Sequence, residues 1–217
     1  MFLCGTILIM MPLSVFAQTH NNIVSARWGI SSEMMMNFKV DYHYKFNRFI
    51  GIGGGIFLNS EFGQVKMPHG NISSSGGSIS WISENKVTKP GFSISALGEI
   101  DIFKIKGRSV MLEVEPSWIL SIPRESQILH CQNVISGETF SEKVNASGGQ
   151  WGAWLLRMGL SFLVIDHCAL GISYNITNFD SFSTARLLEY QGRIFDKFYQ
   201  EKKSIVHSVD IGLRIIF

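Results

Sequence analysis

The residues able to do chemistry in this chain recur at alternate positions. Glu99 and Asp101 stand two apart, as do Glu113 and Glu115, while Arg27, Lys39, Asp41, Lys45, Arg157, Asp210 and Arg214 fall along other segments. Paired carboxylates are one way to build acid–base catalysis. Their other use is to neutralise cations held away from water, where an unpaired charge is costly. The set holds five cations (Arg27, Lys39, Lys45, Arg157, Arg214) and six carboxylates (Asp41, Glu99, Asp101, Glu113, Glu115, Asp210). That near-balance favours mutual neutralisation, with the acid pairs expected to partner Arg157, Lys39 or Arg27. His207 and Ser208 suggest a hydrolytic dyad, but adjacent residues of a strand point to opposite faces, which makes them a poor pair. His20, His43, His69, His130 and His167 have no metal-ligand spacing, and His130-Cys131 is a lone pair. The GIGGG run at 51–55 lacks the helix and Lys of a phosphate cradle. It reads as room for large neighbours or as an aid to curvature. No catalytic residue, cofactor or metal ligand is assigned.

The elements that must position these residues are strands. From Ile205 to Phe217 the odd positions are apolar apart from His207, while the even ones include Ser208, Asp210, Gly212 and Arg214. A helix would mix these sets around its cylinder; a strand separates them. The same period of two runs through 23–30, 36–46, 49–58, 91–103, 109–120, 151–164 and 168–177. In each segment the charged residues named above share the polar face. Eight strands, mostly of ten residues or more, exceed the usual five or six and match the 9–11 of a tilted membrane strand. Pro116 cannot donate to a ladder, so a bulge is expected there.

The connections alternate as well. Short turns are expected at Asn47-Arg48, 104–108 and 165–167. The other rim has a short link at 31–35 and long loops at 59–90, 121–149 and 179–203. That asymmetry is the habit of an outer-membrane barrel. Alternation alone also fits a soluble, lipocalin-like carrier with its apolar face inward. Aromatics decide for the membrane arrangement. Phe92, Trp118, Trp154 and Tyr174 fall toward the long-loop rim, Tyr44, Phe46, Phe162 and Phe217 toward the short-turn rim, with aliphatic residues between. The long loops carry whatever binding there is. In 59–90, Met67 and Trp81 read as exposed, and in 179–203 the spacing of Leu187, Leu188, Ile194, Phe195 and Phe198 suggests a hairpin reaching beyond the membrane. Asn71, Asn145 and Asn175 head glycosylation-type sequons of little weight, and Asn175 is expected inside the barrel.

The chain has 217 residues, 17% of them charged, with a net charge of +2. Sixteen Phe, five Trp and five Tyr exclude a disordered chain, and the small net charge with no basic block excludes a nucleic-acid binder. Three cysteines exclude a disulfide scaffold. Residues 1–17 (MFLCGTILIMMPLSVFA) read as a signal peptide without the basic n-region. Residues 18–217 are then a single exported domain.

The leader, the eight alternating strands and the final VDIGLRIIF resemble the small outer-membrane β-barrels of Gram-negative bacteria, of OmpA/OmpX-like architecture. FIGIGGGIFL and LEVEPSW resemble the outer-membrane β-barrel or PorT-like family of Bacteroidetes. The resemblance implies an all-β, eight-stranded antiparallel up-and-down transmembrane β-barrel, monomeric, surrounded by outer-membrane lipid. It implies that Val209, Ile211, Leu213, Ile215 and Phe217 form a signal read by the barrel-assembly machinery. A structural or binding role, within an envelope or secretion complex, is the leading expectation. A narrow porin-like channel, a rim-active lipid enzyme and a secreted carrier are the alternatives.

Overall fold

The computed structural model describes residues 21–62, 68–74, 77–83 and 85–217. The expected leader and Met67 lie outside them. In chain order the described strands are β1 (Asn22–Ser31), β2 (Met35–Lys45), β3 (Ile50–Glu61), β4 (His69–Ser74), β5 (Gly77–Ser83), β6 (Thr88–Ile105) and β7 (Arg108–Ser121). They continue with β8 (Arg124–Asn133), β9 (Thr139–Ser147), β10 (Gly152–Ile165), β11 (Cys168–Thr177), β12 (Glu189–Tyr190), β13 (Arg193–Ile194) and β14 (Val206–Ile216).

Eight of these close a barrel in the order β1-β14-β11-β10-β7-β6-β3-β2, every pair antiparallel. They are the eight strands legible in the hydropathy, each within a few residues of its expected ends. Closure leaves no exposed edge, since β14 pairs Ile23↔Ile216 with β1 on one side and Thr177↔Val206 with β11 on the other.

The faces are the decisive observation. Ile52, Ile56, Phe92, Ile94, Trp118, Ile172 and Ile211 all lie exposed on the outside, Ile94 at 66% and Ile211 at 57%. Arg27, Asp41, Glu99, Glu113, Glu115, Arg157 and Arg214 are buried inside. A soluble carrier would have these faces the other way round. The apolar exterior forms a belt with exposed aromatics toward both rims: Phe92, Trp118, Trp154 and Tyr174 at one, Phe46 and Phe217 at the other. Trp118 and Trp154 are directly opposed across β7–β10.

One expectation about the wall is corrected. No bulge forms at Pro116. Pairing with β6 passes from Ser95↔Ser117 to Gly98↔Val114 without a change of register, and Pro116 itself opposes Leu156 of β10. The ladder accommodates the missing donor by leaving Ala96 and Leu97 unmatched on the β6 side. The irregularities fall at Asp101/Phe103 and Leu163/Ile165, next to the short turns. The glycines of β3 do make room. An added Cβ would stand 2.7 Å from the His43 ring at Gly53 and 2.6 Å from Asp41 Oδ1 at Gly55. Cys131 and Cys168 are free, one on β8 and one beginning β11 at the short-turn rim.

Beyond the long-loop rim the loops are not loose. Loops 59–90 and 121–149 contribute β4, β5, β8 and β9, which form a second, four-stranded antiparallel sheet in that order. The central pairing, Trp81↔Cys131 and Ser83↔Leu129, joins the two loops. Loop 179–203 does not extend as a hairpin. Its paired part is two residues a side, Glu189↔Ile194 and Tyr190↔Arg193, between short 3-10 turns at Ala185–Leu187 and Asp196–Phe198. Most of its apolar residues turn inward instead, although Leu187 and Ile194 stay exposed. Phe182, Leu188, Tyr190, Phe195 and Tyr199 pack with Trp81, Leu129, Cys131, Met35 and Val87 into a buried core outside the barrel. Trp81, expected to be exposed, is 2% exposed and stacks on Phe195 with ring centroids 4.8 Å apart. We call this unit the cap.

Candidate functional site

Inward-facing positions of neighbouring strands bring the charged residues of six strands into the lumen. An eight-stranded barrel is only wide enough for its own side chains to fill, so each charge must find its partner there. Glu115 on β7 is the hub. Arg27 on β1 donates to it at 2.9 Å, Lys39 on β2 lies 3.1 Å away, and Arg157 on β10 donates through Nη2 at 2.7 Å and Nε at 2.9 Å. Asp41 takes the remaining donors of Arg27 at 2.7 Å and Lys39 at 2.9 Å. Glu113 accepts from Arg157 at 2.7 Å and from Arg214 on β14. Glu99 on β6 joins Arg214 to Lys45, the latter at 2.6 Å. His43, read as one of the scattered histidines, is wholly buried and bonds Ser95 through Nε2 at 2.8 Å.

Two expected members stand apart. Asp210 is buried but makes no ion pair among the described residues; Asn175 donates to it at 2.6 Å and to Ser208 at 2.8 Å. Asp101 is not in the network. Its parity is correct, but it sits opposite Met111 where β6 runs out past the barrel's short-turn end, and it is exposed. Removing it leaves five cations and five carboxylates in the lumen, a formally neutral interior. Four of the five lumen acids thus pair with cations, and each carboxylate of the Glu113/Glu115 pair is held by arginine or lysine.

The interior is not wholly polar, which the sequence pattern did not reveal. Phe57, Ile119, Ala153 and Phe179 form an apolar gasket between the ion pairs and the cap, with Phe57 and Phe179 edge to face at 5.7 Å. The signal was present: Phe57 falls on the polar face of its strand, and Gly91 opposite it lacks the Cβ that would collide with its ring. Between gasket and network a cavity of about 60 Å³ is lined by Lys39, Asn175, Ser208 and Asp210 among others. That is room for a few waters. Near Arg27, Glu113, Arg157 and Arg214 the free volume falls to about 10 Å³.

The cap is bolted to the barrel by polar contacts. Lys89 of β6 reaches Glu125 of β8 at 2.7 Å, both buried. Within the cap, Gln127 donates to the Tyr199 hydroxyl at 2.5 Å and accepts from Ser83 at 2.8 Å. Glu33, in the link between β1 and β2, is a further residue that sequence reasoning passed over. It is buried, its Oε2 accepts from the Ser181 amide at 3.4 Å, and its backbone oxygen accepts from Gln200 at 3.2 Å. Lys203 donates to the Ser32 carbonyl at 2.7 Å. Burial, with the nearby Asp180 carboxylate second, pushes the Glu33 carboxyl above its ordinary value. Burial likewise raises the Glu125 carboxyl despite Lys89 beside it.

The remaining candidates separate in space. His207 Nδ1 and the Tyr174 hydroxyl share a hydrogen bond of 2.7 Å on the outer face, whereas Ser208 is buried inside with Asn175. The two do not meet. Among the described residues no three His, Cys, Asp or Glu groups form a metal-binding cluster. Val209, Ile211, Leu213, Ile215 and Phe217 all project from the outer side of the last strand and are exposed.

Fold and lumen together define the class: a closed eight-stranded barrel, apolar outside and ion-paired inside. No protein-family model and no curated protein matches the chain. Among solved structures, Neisserial surface protein A is similar over 90% of this chain and 96% of its own, at 10% identity and a TM-score of 0.44. The N-terminal β-barrel domain of Pseudomonas aeruginosa OprF is similar over 91% and 100%, at 10% identity and 0.41. Ail of Yersinia pestis is similar over 90% and 95%, at 14% identity and 0.36. These are small outer-membrane barrels. The architecture described above stands on its own strand pairing, and the similarities add no residue or role to it. The resemblance to the PorT-like family stays with the sequence pattern.

Proposed function

We propose that the protein is a non-enzymatic barrel of a bacterial outer membrane, exported by residues 1–17, and that its cap is a rigid platform for surface binding. One observation carries this: an exposed apolar belt encloses a formally neutral, largely ion-paired interior, which is closed at one end by a packed cap. An interior whose ion pairs interlock from strand to strand holds the wall together, and the cavities inside it, of about 60 and about 10 Å³, leave no wide water path among the described residues. The short turns then face the periplasm and the cap faces outward. The outward side chains of Val209, Ile211, Leu213, Ile215 and Phe217 are available to the barrel-assembly machinery before insertion. A protein partner in an envelope or secretion complex, suggested by the PorT-like pattern, would be met through loops 59–90, 121–149 and 179–203.

The test is reconstitution of the purified chain in planar bilayers, with SDS gel mobility compared before and after boiling. A detergent-requiring protein with a heat-dependent shift and no conductance steps is expected. Stepwise conductance would replace this reading with a narrow channel, and altered lipid species in the same bilayers would replace it with a rim-active enzyme.

A further inference from the structure

The cap sheet has two unlike faces. Along β8, Glu125, Gln127, Leu129 and Cys131 are buried in the cap, while Arg124, Ser126, Ile128, His130 and Gln132 are exposed. The buried face leans over the barrel mouth, because it packs on loop 179–203, whose first residue, Phe179, sits in the gasket. The exposed face therefore looks away from the barrel axis. It is also in phase with the apolar side of the wall below it. Leu112, Val114, Trp118 and Leu120 of β7 face outward, and Ile122 and then Arg124 follow at the same parity. Residues 122–123 break the strand, the Arg124 amide donating to the Ile122 carbonyl at 2.8 Å across Pro123, so Arg124 stands above Trp118 by less than the roughly 20 Å that six extended residues would span. This face is the upward continuation of the surface that meets lipid.

Its chemistry changes abruptly above that line. Across β8–β9 the outward pairs are Arg124↔Ser147, Ser126↔Asn145, Ile128↔Lys143, His130↔Ser141 and Gln132↔Thr139. Ser80 and Ile82 of β5 extend the last two rows. Among the described residues, none of these positions is a carboxylate. Glu125 faces Lys89 on the buried side, and Glu142, paired opposite the buried Leu129, belongs to that same side. Two shallow clefts mark the face, one lined in part by Ser80, His130, Gln132 and Ser141, the other by Arg124, Ser126, Asn145 and Ser147. Hydroxyl and amide side chains in rows suit sugar hydroxyls. Exposed cations with no carboxylate on the same face among the described residues suit phosphate or carboxylate groups. Cations held above the aromatic girdle stand where saccharide headgroups project from the lipid.

We propose that this lateral face of the cap binds the acidic saccharide headgroups of the glycolipid that surrounds the barrel. The inference rests on the outer-membrane reading above. The side chains of Arg124 and Lys143 are exposed and take part in no ion pair among the described residues, so reversing their charge leaves the fold intact.

The experiment uses the full chain folded in nonionic detergent, with native mass spectrometry and titration as readouts. The probes are phosphorylated lipopolysaccharide, the same lipopolysaccharide after enzymatic dephosphorylation, and heparin as a soluble polyanion. The wild type should retain phosphorylated lipopolysaccharide, and the R124E/K143E variant should bind it at least about tenfold more weakly. Dephosphorylation should weaken wild-type binding and make the two proteins alike. Equal binding by both proteins, or indifference to the phosphates, would overturn the proposal. Heparin binding as tight as lipopolysaccharide binding would overturn it too, since the ligand would then be a free polyanion rather than a lipid headgroup. A wild type that shows the heat-dependent gel shift yet binds none of the probes defeats this inference alone. A chain with no gel shift defeats the outer-membrane reading beneath it.

Discussion

Glu115→Gln is the substitution on which the lumen account turns. Glu115 serves Arg27, Lys39 and Arg157 at once, and it is completely buried. Removing its charge changes the interior from five cations and five carboxylates to five and four. None of the three cations is orphaned outright. Arg27 and Lys39 keep Asp41, and Arg157 keeps Glu113. The cost is then that of one uncompensated buried charge shared among three groups. We expect about 3 kcal/mol, the lower end of what breaking a buried pair costs. The assay is equilibrium unfolding in urea, followed by tryptophan fluorescence in lipid bilayers, with Asp101→Asn as the control. That control, at an exposed rim position, should shift stability by no more than about 0.5 kcal/mol. The double variant E115Q/R157Q should lose less than the sum of its parts, because the second change removes a cation left without its partner. Equal effects of E115Q and D101N, or strict additivity with R157Q, would refute an interlocked network.

Other parts of the structure make their own demands. Trp81→Ala removes the ring that stacks on Phe195 and lies edge-on to Tyr190 and Phe198; it should cost the cap about 3–5 kcal/mol. Loops 121–149 and 179–203 should become protease-sensitive while the heat-dependent gel shift persists. Because the folded carboxyl of Glu33 lies above its unfolded value of about 4.3, its contribution to cap stability is fully present below about pH 4.3 and is lost as pH rises through the raised value. Amide exchange in 179–203, corrected for intrinsic rates, should therefore show a cap that opens more readily at pH 7.5 than at pH 5, with the dependence reduced in E33Q. Gly55→Val places a branched side chain against Asp41 and should destabilise the barrel by about 1–3 kcal/mol in the same urea titration. Cys131 is free and buried in the cap, so maleimide labelling of it should require unfolding and gel mobility should not change on reduction.

The barrel was legible because its strands are half in lipid and half in a polar lumen, which imposes alternation on nearly every residue from Ile205 to Phe217 and its seven counterparts. The cap was not, because its strands have a mixed inner face. Along β8 the buried positions are Glu125, Gln127, Leu129 and Cys131, polar where Lys89, Ser83 and Tyr199 supply partners across the chain. No hydropathy count separates that face from Arg124, Ser126, Ile128 and His130. Trp81 looked exposed because serines surround it in sequence, yet it is the cap's central ring. Of the site residues, ten of the eleven charges lie in the lumen and nine of them form the ion pairs. Asp101 missed because parity fixes the side a residue faces, not whether the wall still encloses it at that height. Pro116 missed because a ladder can drop one bond without shifting register. Glu33 and the Phe57 gasket needed contacts between residues more than a hundred positions apart.

The most direct test of the central arrangement, apolar side to lipid and charges within, is a nitroxide scan of single cysteines at 208–215 in a Cys131/Cys168-free chain reconstituted in bilayers. Accessibility to oxygen should alternate with period two and peak at 209, 211, 213 and 215, with minima at 208, 210, 212 and 214. Maxima at the even positions, or no alternation, would contradict it.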